Sequence, residues 1–260
     1  MLYDGAMIAT LQMYDWPEVA TATDRWWAAI ARRLGTGTPL SRPADYAAVW
    51  MRGDVLFSQT CGYPFTHALK GRLSLVATPH YACDGCEGPR YRSIVFARQN
   101  QPLDAFRGAV AAVNTPDSMS GMLALKLVFA GLARHGRFFG RAIETGGHLA
   151  SLGALREGRA DVCALDAVCV AMARRYRPAD LEGLVEIARS PLVPGLPYIT
   201  TAGDVPALRA ALASAFADAD LQQTRDQLLL SGCSVLEPGD YAEIAERELA
   251  MEVAGGLQLL

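Results

Sequence analysis

The sequence predicts an α/β protein with two lobes, each a mainly parallel sheet flanked by helices. Two observations support this fold class: a globular composition and a strand–helix alternation that runs through the chain and restarts once. The 260 residues are 51% hydrophobic and 20% charged, which is enough apolar material for a sizeable core. No internal repeat or low-complexity tract interrupts this pattern.

The first part of the chain alternates between apolar extended runs and helical patterns. Pro17 follows the first strand candidate and opens a helix, because proline is tolerated in a first helical turn. In chain order we expect a strand at 7–14, a helix at 17–34, a helix at 43–53, a strand at 55–61 and a strand-like segment at 72–82.

The same alternation restarts after residue 90. The expected order is a strand at 91–98, helix and strand within 103–113, a helix at 120–136, a strand at 141–146, a helix at 148–158, a strand at 161–166, a helix at 167–176, an extended segment at 184–202 and helices near 204–217 and 239–251.

Two long extended segments, 72–98 and 184–200, are candidates for connections between the lobes. This organisation predicts a middle lobe of residues 88–188 inserted into a discontinuous outer lobe of residues 1–87 and 189–260. Small-molecule sites in such proteins favour the crevice between domains and the carboxyl ends of parallel strands. We therefore expect a ligand cleft between the lobes.

Charge and hydropathy exclude two classes of partner. The net charge is −3 and the arginines are scattered, whereas binding to a nucleic acid backbone requires a clustered positive surface. No apolar stretch reaches the 18 to 20 or so residues that span a bilayer, so direct membrane insertion is not expected. The N-terminal run MLYDGAMIATLQMYDWPE lacks the features of a signal peptide, which predicts a cytoplasmic chain or a recorded start that omits an export signal.

The run NTPDSMSGMLALK, from Asn114 to Lys126, is the clearest candidate for a binding site. A strand ends there and a helix begins at about Ser118 to Gly121. Helix starts expose unpaired N–H groups that stabilise anions, and Ser118 and Ser120 add hydroxyl donors. The alternative is a simple N-cap by Asp117 or Ser118, with nothing bound.

This run resembles the Ser-Thr-Ser-Gly helix start of the phosphate/phosphite/phosphonate-type (PhnD-like) solute-binding proteins of ABC transporters. The run ETGGHLASLGALREGRADVCALDAV is similar to a second family pattern, a Gly-Ser-His-x-x-Ser helix followed by a Gly-x-x-Asp-x-x-x-x-Asp strand. The resemblance extends from the strand ending at Tyr14 to the run ARSPLVPGLPYIT and is strongest over 111–200. It implies the two-lobed type II periplasmic binding fold and a periplasmic location.

Carried over by position, the resemblance assigns roles to five residues. Ser118 and Ser120 match the hydroxyls that hold the oxyanion, whereas Met119 stands where the family usually has threonine. This change removes a donor, which favours a larger, partly apolar anion over inorganic phosphate. His148 is implied to face the ligand, with N-terminal capping or surface placement as the alternative. Asp166 is implied to accept a hydrogen bond from a protonated ligand oxygen or nitrogen, with capping of the next helix as its other role.

Three tyrosines at strand ends, Tyr14, Tyr63 and Tyr81, are candidates to line the cleft, because tyrosine offers an apolar face and a hydroxyl. The spacing of His80, Cys83 and Cys86 offers an alternative, a zinc site with Cys61 as the candidate fourth ligand. Cys83 and Cys86 suit a disulfide in an oxidising compartment and free thiols in the cytosol. Cys163 and Cys169 lie in an apolar context typical of buried thiols.

The sequence therefore predicts a non-enzymatic solute-binding protein that closes around a small anionic ligand, such as a phosphonate, a phosphate ester or a related oxyanion. Membrane subunits of an ABC transporter are the implied partners, and no cofactor is expected, since the chain lacks the common cofactor and nucleophile motifs. The alternative is a cytosolic enzyme or ligand sensor on the same scaffold, with zinc or a reactive Cys61.

Overall fold

The computed structural model describes residues 7–259, and these residues form two compact units. Unit 1 contains residues 7–82, 87–89 and 194–240, and unit 2 contains residues 83–86, 90–193 and 241–259. The chain passes between the units inside the two extended segments that the sequence marks as connections, and once more between residues 240 and 241.

The strands of the described residues are short, two to eight residues each. In chain order they are β1 (Ile8–Ala9), β2 (Val55–Gln59), β3 (Ser74–Tyr81), β4 (Cys86–Glu87), β5 (Arg90–Tyr91), β6 (Ser93–Ala97), β7 (Val110–Val113), β8 (Arg141–Glu144), β9 (Val162–Asp166), β10 (Val185–Arg189), β11 (Val193–Pro194), β12 (Tyr198–Thr200) and β13 (Leu230–Ser234).

The α-helices follow in the same order: α1 (Ala20–Leu34), α2 (Tyr46–Trp50), α3 (Gly62–Thr66), α4 (Ala124–Phe129), α5 (His148–Arg156), α6 (Ala167–Tyr176), α7 (Val205–Ala217), α8 (Gln222–Gln227) and α9 (Ala242–Val253). A π-helical turn, Met119–Leu123, precedes α4. Short 3₁₀ turns lie at Pro17–Val19, Leu103–Phe106, Ala130–Leu132, Pro178–Leu181, Ala219–Leu221 and Pro238–Tyr241.

Unit 1 is built on a five-stranded sheet of order β1-β2-β12-β3-β13. Strands β1, β2 and β3 run in one direction, and β12 and β13 run against them. The apolar residues Val55, Leu56 and Phe57 of β2 are fully buried at its centre. Helix α1 buries Trp26 and Ile30 and ends at Gly35, whose left-handed φ of 67° forms the cap.

The strand expected at 7–14 is wrong in length, because only Ile8–Ala9 pairs with β2 as a strand. Thr10 still donates its backbone N–H to Phe57, after which the chain turns before Pro17. The sequence also did not predict α3, α8 or β13. In β13 the run LSGCS has little β-branched or aromatic content, so its local preference for a strand is weak.

Unit 2 is built on a five-stranded sheet of order β10-β6-β9-β7-β8. Four of these strands run in one direction, and β6 runs against its neighbours β10 and β9. The strands β6 and β9 are buried along their whole length, as strands covered on both faces should be. The carboxyl ends of β8, β7 and β9 therefore meet at one edge of the sheet.

The C-terminal segment belongs to unit 2, whereas the sequence placed it with the outer lobe. Helix α9 buries Ile244, and its Glu243 accepts hydrogen bonds from Arg90 at 2.7 and 2.8 Å. The backbone N–H of Gln258 donates to the carbonyl of Gly136 at 2.9 Å. The sequence prediction assigned all residues from 189 onward to the outer lobe, and these distant contacts place residues 241–259 in unit 2 instead. No helix within residues 7–259 is long and apolar enough to cross a membrane.

Candidate functional site

Polar side chains follow three neighbouring strands of unit 2 at the edge where those strands end. Strand β7 leads into Ser118 and Ser120, β8 leads into His148, and β9 ends at Asp166. The pairing of Val113 with Glu144, and of Ala112 with Cys163, places the three strand ends side by side. The carboxyl edge of parallel strands is where ligands bind in open α/β sheets.

The helix after β7 begins with a π-helical turn. The N–H of Leu123 donates to the carbonyl of Ser118, five residues back, at 3.0 Å. The Ser118 hydroxyl accepts from the N–H of Gly121 at 2.9 Å, so the predicted N-cap is present. Ser118, Met119 and Ser120 are 3%, 1% and 4% exposed. Single π turns inside helices are frequent at functional sites.

The ring of His148 lies against this turn. Its Nε2 is 2.9 Å from the Ser120 hydroxyl, which in turn lies 3.5 Å from the Ser118 hydroxyl. The Nδ1 atom is buried and has no hydrogen-bond partner among the described residues. Burial lowers the pKa of His148 to about 4, so the ring is neutral at pH 7. A neutral imidazole carries one N–H, and the shared Ser120 hydroxyl suits either tautomer.

Asp166 is a buried carboxylate at the start of α6, only 1% exposed. Its Oδ1 accepts the N–H of Val168 at 2.7 Å, which is the capping role predicted as one of its two functions. A helix N-terminus stabilises a negative charge, which offsets part of the cost of burying this carboxylate.

Asn114 belongs to this site, and the sequence reasoning gave it no role. Its side-chain Oδ1 is buried without a hydrogen-bond partner among the described residues. A Cβ on Gly121 would lie 1.8 Å from that oxygen, so only glycine permits this close approach. Both residues are visible in the sequence, seven positions apart. Strand and helix periodicity does not indicate that they contact each other, so the role of Asn114 could not be predicted from these patterns.

In unit 1, Tyr14 and Tyr81 come together in an edge-to-face contact with ring centroids 5.1 Å apart. Both line a cavity of about 30 Å³, and the Gln59 amide donates to the Tyr81 hydroxyl at 3.1 Å. The remaining lining residues are Leu11, Thr23, Trp26, Tyr198, Leu228 and Leu230. Gln59, at the end of β2, is a polar lining residue that the sequence analysis did not single out.

Tyr63 lies apart from that cavity. Its ring stacks on His67 with centroids 3.9 Å apart and an angle of 8° between the planes. The structure therefore brings Tyr14 and Tyr81 together and gives Tyr63 a different neighbour.

The residues of the zinc alternative do not form a metal site. Within residues 7–259 no group of three or more His, Cys, Asp or Glu side chains is placed to hold a metal ion. His80 instead places its Nε2 2.8 Å from the Ser234 hydroxyl. Cys61, Cys163 and Cys169 are buried, in agreement with the apolar context of the last two.

Solved structures with this fold come from several bacteria. A binding protein component of an ABC phosphonate transporter from Pseudomonas aeruginosa is 17% identical with a TM-score of 0.79, over 96% of this chain and 88% of that one. PhnD1 from Prochlorococcus marinus in complex with methylphosphonate is 13% identical with a TM-score of 0.78, over 95% and 98%. A Xanthomonas citri protein bound to ATP is 17% identical with a TM-score of 0.69, over 96% and 98%. These similarities show the type II periplasmic binding fold.

Sequence comparison assigns the family. No curated protein matches the chain. The model of a family described as ABC transporter, phosphonate, periplasmic substrate-binding protein matches residues 8–242, which is most of the chain and includes Ser118, His148 and Asp166. The family consists of solute-binding proteins, so an enzymatic or sensor role on this scaffold is not favoured. The chain belongs to the phosphonate periplasmic substrate-binding protein family of ABC transporters.

Proposed function

We propose that this chain binds a small phosphonate or phosphate ester whose oxyanion lies at the helix start around Ser118 and Ser120. The observation that carries the proposal is the contact between Ser120 and His148, beside a ring nitrogen that is buried without a partner. An unpartnered buried polar atom is costly in the absence of ligand. A ligand oxygen that forms a hydrogen bond with Nδ1 of His148 would remove that cost.

The chemistry of the turn suits an oxyanion without help from lysine or arginine. Helix starts present backbone N–H groups and a partial positive charge, and hydroxyl donors add short hydrogen bonds to a charged acceptor. Ser118 and Ser120 are both buried, so each such hydrogen bond is strengthened by the low local dielectric.

Met119 supports a ligand that is larger than inorganic phosphate. Its side chain is 1% exposed and has a thioether, where the family pattern has a hydroxyl. A thioether is a weak acceptor and donates no hydrogen bond, so one oxyanion contact is lost and an apolar contact is gained. Proteins of the same fold are known with methylphosphonate and with ATP, which both contain phosphorus oxyanions with a non-phosphate substituent.

Asp166 is proposed to select the protonation state of the ligand. A carboxylate accepts hydrogen bonds and cannot donate one, so it favours a ligand with a protonated oxygen or an amino group. Its capping bond to Val168 uses Oδ1 and fixes the carboxylate at the edge of the sheet. We also propose that the ligand contacts three tyrosines, Tyr14, Tyr63 and Tyr81.

The family is periplasmic and serves ABC transporters. We accordingly propose that this chain works in the periplasm as a non-enzymatic receptor. In this role it delivers its ligand to the membrane subunits of an uptake transporter.

Isothermal titration calorimetry of the full chain with methylphosphonate, a phosphate monoester and inorganic phosphate tests the proposal. We expect the first or second ligand to bind more tightly than inorganic phosphate. Replacement of Ser120 by alanine should weaken that binding about tenfold or more, since a hydrogen bond to a charged group contributes about 1.5–3 kcal/mol.

The matched control is Ser214→Ala, which removes the same hydroxyl from an exposed position of α7. We expect this variant to bind as the natural chain does. Absence of heat with all three ligands, or equal affinity of the Ser120→Ala variant, would reject the oxyanion site and leave the family assignment intact.

A further inference from the structure

We infer that Cys83 and Cys86 form a redox site, in which the two thiols are oxidised reversibly to one intramolecular disulfide. The Sγ atoms lie 3.5 Å apart, within hydrogen-bonding distance of each other. Both side chains are partly exposed, so a soluble oxidant can reach them. This inference goes beyond ligand binding and does not depend on it.

The backbone brings the two thiols together. The N–H of Cys86 donates to the carbonyl of Cys83 at 3.1 Å, so the four residues from 83 to 86 form a β-turn. Such a turn holds its end Cα atoms within about 7 Å, compared with the roughly 4.4–6.8 Å that disulfides span. Gly85, the third residue, has a φ of +93°, the sign that a type II turn requires at this position.

Three contacts within unit 2 fix the conformation of this turn. The carbonyl of Gly85 accepts the N–H of Arg92 at 2.9 Å. A Cβ at Gly85 would lie 2.7 Å from the Cβ of Ala167, so glycine is required by contact as well as by φ. The carboxylate of Asp84 accepts two hydrogen bonds from Arg189 at 2.8 and 2.7 Å. The turn is therefore preorganised before any S–S bond forms.

The oxidation balances with a small-molecule disulfide as the oxidant. A Cys83 thiolate attacks the oxidant, which gives a mixed disulfide at Cys83 and releases one small thiol. Cys86 then loses its proton and attacks the Cys83 sulfur, which forms the intramolecular bond and releases the second thiol. Two electrons and two protons leave the protein in total.

The environment orders these steps. The hydrogen bond with Cys83, burial and the carboxylates of Asp166 and Asp84 raise the pKa of the Cys86 thiol above its usual value. Cys86 therefore stays protonated up to a higher pH than an ordinary cysteine, which suits the thiol that reacts second and resolves the mixed disulfide. The family to which the chain belongs is periplasmic, and disulfides persist in that compartment.

The competing thiol is Cys169, whose own pKa is raised by burial and by the charges of Asp166 and Cys83. It is 5% exposed, compared with the partial exposure of the two turn cysteines. Burial and a protonated thiol both slow its reaction with an external oxidant.

The test is a thiol count by mass spectrometry on the full chain, reduced first and then incubated with oxidised glutathione before alkylation. We expect the number of free thiols to fall from six to four, and a non-reducing peptide map to place the bond between Cys83 and Cys86. Dithiothreitol should restore all six thiols. The oxidised protein should also melt a few degrees higher, because the bond restricts the unfolded chain.

Two variants complete the experiment. Cys86→Ser should accumulate glutathione on Cys83, because the resolving thiol is gone, and Cys61→Ser should still form the bond as the matched control. Any of three results would overturn the inference: six free thiols after oxidation, a stable glutathione adduct on the natural chain, or a disulfide that includes Cys169.

Discussion

At the scale of single residues, His148 shows the difference between identifying a candidate site residue from the sequence and placing its atoms in the structure. The resemblance singled out this histidine, and the structure adds its contact with Ser120 and the buried Nδ1 atom. A local pattern cannot give that geometry, because Ser120 and His148 follow different strands. The same holds for Asn114, whose oxygen is buried against a glycine.

The depressed pKa of His148 predicts a pH-dependent stability. The folded state binds the proton with a pKa of about 4, compared with about 6.5 in the unfolded chain. The unfolded state therefore binds more protons in this window, so stability should fall as the pH falls from about 6.5 to 4, by the order of 1–3 kcal/mol. Urea unfolding at a series of pH values measures this loss.

His148→Gln provides the comparison for that experiment, because glutamine keeps polar atoms and does not titrate. Its unfolding free energy should depend less on pH across the same window. His80, whose pKa is also lowered by burial, should leave a residual slope of the same sign. Identical slopes for the natural chain and His148→Gln would contradict the prediction.

Met119→Thr is the substitution that most directly tests ligand choice. The threonine hydroxyl should raise the affinity for inorganic phosphate by about tenfold, as expected for one added hydrogen bond to a charged group. Loss of a fully buried side chain should also destabilise the fold by about 1–2 kcal/mol. Calorimetry and urea unfolding measure the two effects separately, and unchanged phosphate affinity would remove the role given to Met119.

At the scale of elements, the order of strands and helices was predictable over most of the chain because each has its own periodic or apolar pattern. Helices α1, α5 and α6 and strand β9 lie where the sequence predicts them. Strand β13 and the true end of β1 depend on pairing with distant strands, which no local pattern encodes. The shared edge of β8, β7 and β9 follows from sheet order, which topology rules restrict but do not fix.

Gly121→Ala tests the helix start as an element. The new Cβ would lie 1.8 Å from the Asn114 oxygen, so the Asn114 side chain, the strand end or the π turn must move. We expect a loss of about 1–3 kcal/mol in the unfolding free energy, as for other overpacked sites, and weaker ligand binding.

Gly131→Ala is the matched control for Gly121→Ala, because no atom lies within 4 Å of its added Cβ. It lies in the 3₁₀ turn after α4, and we expect a change within about 0.5 kcal/mol. Equal effects of the two alanines would mean that the contact with Asn114 does not restrict position 121.

At the scale of the whole molecule, the sequence predicted two units from one discontinuous chain, and the predicted and observed boundaries differ most in the C-terminal segment. Glu243 attaches α9 to the rest of unit 2 by accepting hydrogen bonds from Arg90 of β5, and it also accepts hydrogen bonds from Arg247 of the same helix. From the sequence alone, the acidic and basic residues of α9 are equally consistent with a helix whose charged face is exposed to solvent. Only the fold shows that Arg90, 153 residues away, lies beside Glu243.

Ile244→Ala measures how much this attachment contributes. Ile244 is fully buried, and its truncation should lower the unfolding free energy of unit 2 by about 2–4 kcal/mol. Leu249→Ala is the control in the same helix, since Leu249 is 61% exposed and should change stability by less than about 0.5 kcal/mol. Chemical denaturation followed by hydrogen exchange would locate the loss, and an equal cost for both variants would contradict the assignment.

The repeated passage of the chain between the units has a consequence for synthesis on the ribosome. Unit 1 needs residues 194–240 to complete its sheet, and unit 2 needs residues that follow them. Domains that are continuous in sequence fold one after another as they emerge. Here most of the polypeptide must emerge before either core can close, so the growing chain carries incomplete sheets through most of its translation.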